Sequence, residues 1–215
     1  MGTIDVLVRN MPLILRGFLV TCEASALVIV CGTIIGLFGG LSLLYGPRPL
    51  RLLVRIYVDT IRGIPLIVLI FAIFYGLPTL GSQITPFGAA VLALSVFGGA
   101  HISEIVRGAV NSIPQGQTEA AMAIGLTFFK RLRYVILPQA LARIIPPWTN
   151  TAVELVKGSS LLALVSIVEL LYSTEQVAAR TRQPILFYGV AAVLYFSLNY
   201  LISNAGLRIE KKFTY

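Results

Sequence analysis

Charge is scarce in this chain: of 215 residues only 12% are charged, while 57% are hydrophobic. Soluble domains carry about 25% charged residues, so this composition excludes an ordinary soluble domain and indicates a membrane protein. Histidine is nearly absent, with His101 alone. That excludes a cysteine–histidine zinc cluster, and it removes the second histidine an intramembrane peptidase would need. Cysteine is limited to Cys22 and Cys31. Nine residues on one helix separate them by about 13 Å, beyond the roughly 7 Å reach of a disulfide, so both read as small apolar fillers. No Gly-rich loop ending in Lys-Ser/Thr occurs, so the chain lacks a phosphate-binding loop of its own. No separate signal peptide stands out, because Asp5 and Arg9 precede the first long apolar run.

The charges that are present sum to +8 and cluster between apolar runs. A basic balance can suit nucleic acid or anionic lipid. Placement between runs instead marks membrane topology, and nucleic acid is not expected as a partner. A bilayer crossing needs about 20 mostly apolar residues. Five stretches qualify, at approximately 17–44, 57–77, 86–106, 148–171 and 184–207, all within one domain, 1–215. Pro65 predicts a kink or a late start in the second. The fourth is the least apolar, interrupted by Glu154 and Lys157. Residues 107–147 form a long loop, and 172–183 are polar. Five crossings put the termini on opposite sides. With the N-terminus outside, and leaving out Arg62 and Lys157 in or near the crossings, eleven Lys and Arg residues lie inside and four (Arg9, Arg16, Arg180 and Arg182) lie outside. The positive-inside rule therefore puts the loop 107–147 and the C-terminus in the cytosol.

The stretch Glu119 to Pro138, EAAMAIGLTFFKRLRYVILP, is the most distinctive part of that loop. Strong helix formers around Glu119, Ala120 and Ala121 start a short helix. Gly125 breaks it, a second helical pattern starts at Leu126, and Pro138 is expected to limit that second piece. Alanines at 120 and 121 allow close approach, so the pair of short helices suits docking. The spacing of Glu119-Ala120-Ala121, Gly125 and Val135-Ile136-Leu137-Pro138 resembles the EAA loop of ABC-importer permeases, with Val135 where isoleucine is usual. Further segments resemble the polar amino-acid permease subfamily. Arg62-Gly63-Ile64-Pro65-Leu66 is similar to its RGTPLL segment, with Ile64 in place of threonine. Glu104 to Gly108 and Ser112 to Gln117 are similar to its lead-in to the loop. Leu155 to Leu161 resembles its LxKDTSL segment, with Gly158 where an aspartate is common.

The resemblance covers most of the chain. It implies a type I importer made of two permease chains (identical or related), two ATP-binding subunits and an extracytoplasmic substrate-binding protein. It also implies that Glu119, Ala120, Ala121 and Gly125 couple the permease to the ATPase. This chain then carries no cofactor, ATP and Mg belong to the partner, and the location is the inner membrane of a bacterium or archaeon.

Charges at mid-membrane cost about 2.5–3.5 kcal/mol each on insertion scales, so they are default functional candidates. Glu23 lies in the outer third of the first crossing and can meet an ammonium or guanidinium, or simply reach water. Glu154 and Lys157, three residues apart, can pair with each other. They can equally bind the two ends of an amino-acid zwitterion, with hydroxyls from Ser159 and Ser160. His101 and Glu104 read as an inter-span hydrogen bond, and Asp59 and Arg62 as a local ion pair. Gly32, Gly36 and Gly40 space a close helix-packing face.

The expectation is an all-α, five-span permease subunit, not itself an enzyme, that imports a polar amino acid, with the carboxylates Glu23 and Glu154 leaning toward a basic one. The alternative is a small channel or a secondary carrier driven by an ion gradient, with Glu154, Lys157 and His101 as a proton path.

Overall fold

The computed structural model describes residues 3–213, and among these every regular element is helical. The first helix, α1 (Thr3–Tyr45), has 43 residues. At 1.5 Å per residue it is about 65 Å long, roughly twice the 30 Å hydrocarbon core of a bilayer. The expected crossing, 17–44, is thus the second part of a longer rod.

α1 packs lengthwise on α4 (Pro86–Asn111) through the predicted glycine face. A Cβ on Gly36 would sit 2.4 Å from Ile102, and one on Gly40 would sit 2.5 Å from Val106. Gly32 faces Gly99 less tightly, since a Cβ there would be 3.5 Å from the Gly99 nitrogen, an ordinary contact. Contacts that advance together along both helices mean that α1 and α4 run parallel, so the chain between them reverses direction.

That return is made by α2 (Arg48–Gly63) and α3 (Leu66–Thr79), bent by 111° at Ile64-Pro65. The second expected crossing, 57–77, is therefore split into two helices, with α3 showing the late start after Pro65 in place of a single kinked helix. The cause is local: a proline excludes helical backbone from the residue before it, and Ile64 is extended at φ −99°, ψ 133°.

Residues 107–147 are mostly helical as well. α4 runs on to Asn111, followed by α5 (Gln115–Ala123) and α6 (Phe128–Arg131). A π-helical turn, Leu132–Ile136, then leads into α7 (Leu137–Gly158). Pro138 does not stop the second short helix, contrary to expectation. It occupies the first turn of α7, where a missing N–H costs little, and the wide π turn before it accommodates the ring. α7 also runs through Pro146 and Pro147, so the helix that carries the expected fourth crossing starts well before residue 148.

The fourth crossing does not continue to 171 as one helix. A 3-10 segment (Ser159–Val165) follows α7, the chain turns at Ser166 with φ 60°, and α8 (Leu170–Thr181) begins. The polar stretch 172–183 is thus largely a helix. Its signal was the apolar spacing of Leu170, Val177 and Ala178, all buried. α9 (Pro184–Phe213) closes the fold.

Three apolar clusters hold these elements. The central one joins α1, α3, α4, α7 and the 3-10 segment around Val28, Ile70, Leu94 and Leu155. A second, at the end carrying α5, contains Ile102, Val106, Ile113, Ile136 and Ile144. A third, at the opposite end, joins the start of α1 to α8 and α9 through Ile14, Leu170, Val177 and Phe187.

Candidate coupling elbow and polar groups

α5 ends in a Schellman arrangement. Gly125 N–H donates to the Met122 carbonyl at 2.9 Å, and Leu126 N–H to the Ala121 carbonyl at 3.0 Å. Gly125 has φ 77°, a region other residues enter at a cost. The expected pair of short helices joined at a glycine is present. Ala121 is buried, whereas Glu119 and Ala120 are exposed. Beside them Met122, Ile124 and Phe129 are 50%, 76% and 79% exposed. Among the described residues the Glu119 carboxylate has no hydrogen-bonded or ionic partner.

The elbow stands on a fixed base. Ile113 and Ile136 on either side of it belong to the second apolar cluster. Arg143 on α7 donates to the carbonyl and, at 2.7 Å, to the hydroxyl of Ser112. Gln139 reaches Gln117 at 3.3 Å. Phe128 stacks edge-on against Tyr45 with ring centroids 5.4 Å apart, and Arg131 covers the Phe128 ring. An apolar, exposed tip on a braced base is suited to docking a protein surface.

The polar candidates separate into two kinds. Glu154 and Lys157 are exposed on α7 and make no ion pair with each other among the described residues. With Arg143 and Asn150 they form one exposed stripe at spacings of seven, four and three residues. Ser159 is buried and its hydroxyl donates to the Val156 carbonyl; Ser160 donates to the Lys157 carbonyl. Both hydroxyl hydrogens are thus held by the local turn. Glu23 is exposed on α1. Trp148 Nε1 donates to Thr33 Oγ1 at 2.8 Å, which registers α7 against α1. Glu23 and Lys157 lie ten and nine residues from that contact, about 15 and 13 Å along antiparallel helices, and so at similar depth.

The remaining polar expectations are met in part: the inter-span hydrogen bond is made by Glu104 and not by His101. His101 Nδ1 meets the Phe97 carbonyl of its own helix at 3.0 Å rather than another span. Asp59 pairs with Arg55 at 3.6 Å, not with Arg62. Arg55 also reaches Glu104 at 3.4 Å, and Glu104 holds Arg107, which ties α2 to α4.

One group escaped the sequence reading. Glu169 is fully buried, at 0% exposure, at the start of α8. It accepts from Tyr195 Oη at 2.7 Å, Thr21 Oγ1 at 3.2 Å and Tyr172 N–H at 2.8 Å. Thr21 Oγ1 in turn accepts the Leu170 N–H at 3.0 Å. This carboxylate fastens α1, α8 and α9 together. The available signal was an acidic residue near the end of an apolar run, the pattern that marks a partnered intramembrane group.

Comparison with known proteins gives a consistent result. The family described as binding-protein-dependent transport system inner membrane component matches residues 32–213. The L-cystine transport system permease protein TcyB of Bacillus subtilis (strain 168) is 38% identical over 202 residues, 94% of this chain and 86% of that protein. The glutamine transport system permease protein GlnP of Escherichia coli (strain K12) is 33% identical over 203 residues, 94% and 93% of the two chains. Among solved structures, an amino acid ABC transporter with histidines superposes with TM-score 0.89 at 29% identity, covering 99% of each chain. The MetNI methionine ABC transporter, in inward facing conformations, superposes with TM-score 0.77 at 29% identity over 100% of each.

Proposed function

The chain belongs to the binding-protein-dependent transport system inner membrane components, and from that membership we propose that it is the permease half of an ATP-driven importer for a polar amino acid. The amino-acid ABC permeases among its relatives support that reading. The observation that carries the coupling step is the α5–Gly125–α6 elbow, exposed and apolar at its tip and braced at its base. A separate ATP-binding subunit grips this elbow on the cytosolic side. Closure of a pair of such subunits draws two elbows together, and the rigid helices behind them rock. The differential contact that biases the two states is the grip on Glu119, Met122, Ile124 and Phe129. The chain does no covalent chemistry in this reading. The carrier alternative leaves the elbow without a role.

The exposed stripe of α7 supplies the second half of the proposal. Glu154 and Lys157 cannot face hydrocarbon without the insertion cost given above. A second permease chain covers them, and the space between the two copies becomes the path. Glu154 and Glu23 there suit the ammonium of the substrate and favour an added positive charge. Lys157 suits its carboxylate. Five crossings, an outer N-terminus and a cytosolic elbow complete the arrangement.

Uptake into proteoliposomes containing the assembled transporter tests this. Glu119→Lys is expected to abolish uptake and release the ATP-binding subunit on purification. Wild-type uptake by that variant would remove the coupling role. Glu154→Gln is expected to lower uptake at least about tenfold, the equivalent of one lost charged contact; unchanged uptake would remove the substrate assignment.

A further inference from the structure

The four outward arginines remain unexplained, because positive charge is disfavoured on the translocated side of a membrane. Two of them meet. Arg9 on α1 and Arg180 on α8 line one cavity of about 450 Å³, together with Val6, Asn10 and Thr181. Neither arginine has an ion pair among the described residues. Arg180 donates to Asn10 Oδ1, and Asn10 is itself buried, its amide donating to the Val6 carbonyl at 2.7 Å. The guanidinium is therefore held in position by a fixed amide with its charge left unneutralised.

With the first crossing placed as expected, the cavity also stands clear of the lipid. Arg9 is eight residues before Gly17, the start of the expected first crossing, about 12 Å further along α1. The headgroup layer is only about 6 Å deep on each side. The third apolar cluster holds this part of α1 against α8 and α9, so the cavity lies on a packed lobe and not on a fraying helix end.

We propose that this cavity receives a carboxylate from the extracytoplasmic substrate-binding protein, and that Arg9 and Arg180 form the charged part of its docking surface. Two unneutralised guanidinium groups select a carboxylate by charge and by forked geometry. The distance from the headgroups selects a soluble partner over lipid. The family's dependence on a binding protein supplies that partner. The proposal rests on the importer reading and on the outer placement of the N-terminus.

The test uses the complete transporter in lipid nanodiscs, with purified, substrate-loaded binding protein titrated against ATPase activity. Arg9→Glu/Arg180→Glu is expected to leave ATPase activity without binding protein unchanged. The binding-protein concentration giving half-maximal stimulation should rise at least about tenfold. Arg9→Gln/Arg180→Gln should raise it less and flatten its salt dependence. A half-maximal concentration within twofold of wild type in both variants overturns the proposal, whether or not uptake falls. If wild-type activity does not respond to binding protein at all, the importer reading fails with it. Should the charge reversals not assemble, the wild-type salt series decides: weakening with salt supports the arginine pocket, and a flat response overturns it.

Discussion

The two ends of the molecule are built alike and finished differently. At one end α5 and α6 ride on an apolar cluster between α4 and α7; at the other, α8 rides on an apolar cluster between α1 and α9. Each is a short helical piece braced on long rods. The α5 end presents Met122, Ile124 and Phe129, whereas the α8 end presents Arg9 and Arg180 around a cavity. Permanent interfaces are the more hydrophobic ones, and transient encounters rely on steering by charge. The contrast fits a partner that stays at the apolar tip and one that comes and goes at the basic pocket.

The largest effect that would break this comparison is at Glu169. Glu169→Ala leaves Tyr195 Oη and Tyr172 N–H without a buried acceptor and takes one from Thr21, at about 1–3 kcal/mol for each orphaned group. Thermal stability in detergent is expected to fall sharply, with new protease cleavage confined to 166–183. The ATP-binding subunit should still co-purify, because the other end has its own cluster. Loss of both ends together would show that the two lobes are not independent.

A smaller effect is expected at Gly125→Val. A Cβ at this position meets no neighbouring atom, so the main cost is backbone strain at φ 77°, about 1–2 kcal/mol. Retention of the ATP-binding subunit during purification should fall roughly tenfold, with stimulation by binding protein unaltered in the fraction that remains assembled. The smallest effect is expected at Ser159→Ala. The hydroxyl donates only to its own helical turn, so uptake should stay within about twofold. A large loss there would move Ser159 from the packing into the substrate path.

Much of this was legible in the residues, for identifiable reasons. Gly32, Gly36 and Gly40 announced a packed face, because small residues at that spacing have little other use in an apolar helix. Gly125 announced the elbow, because a glycine between helical patterns permits a left-handed backbone. Proline misled at 138. Its usual effect is to end a helix, yet the π turn before it and its first-turn position in α7 let the helical run continue. At Ile64-Pro65 the proline acted more strongly than a kink, because extended backbone at the preceding residue separates two helices. α8 was hidden by its polar exposed face. Glu169 was hidden by sitting among apolar residues: its three partners come from three different helices, and no local pattern reveals them. The pairing of Arg9 with Arg180, 171 positions apart, is likewise a product of the tertiary fold.

The central claim is that the α5–α6 elbow is gripped by a separate ATP-binding subunit. It is tested most directly by an Ile124→Cys variant in a Cys22→Ser/Cys31→Ser background, exposed to a membrane-impermeant maleimide in inside-out vesicles. Rapid labelling after the ATP-binding subunit is stripped, and protection when it is restored, is the predicted result. Equal labelling in both states would contradict the account.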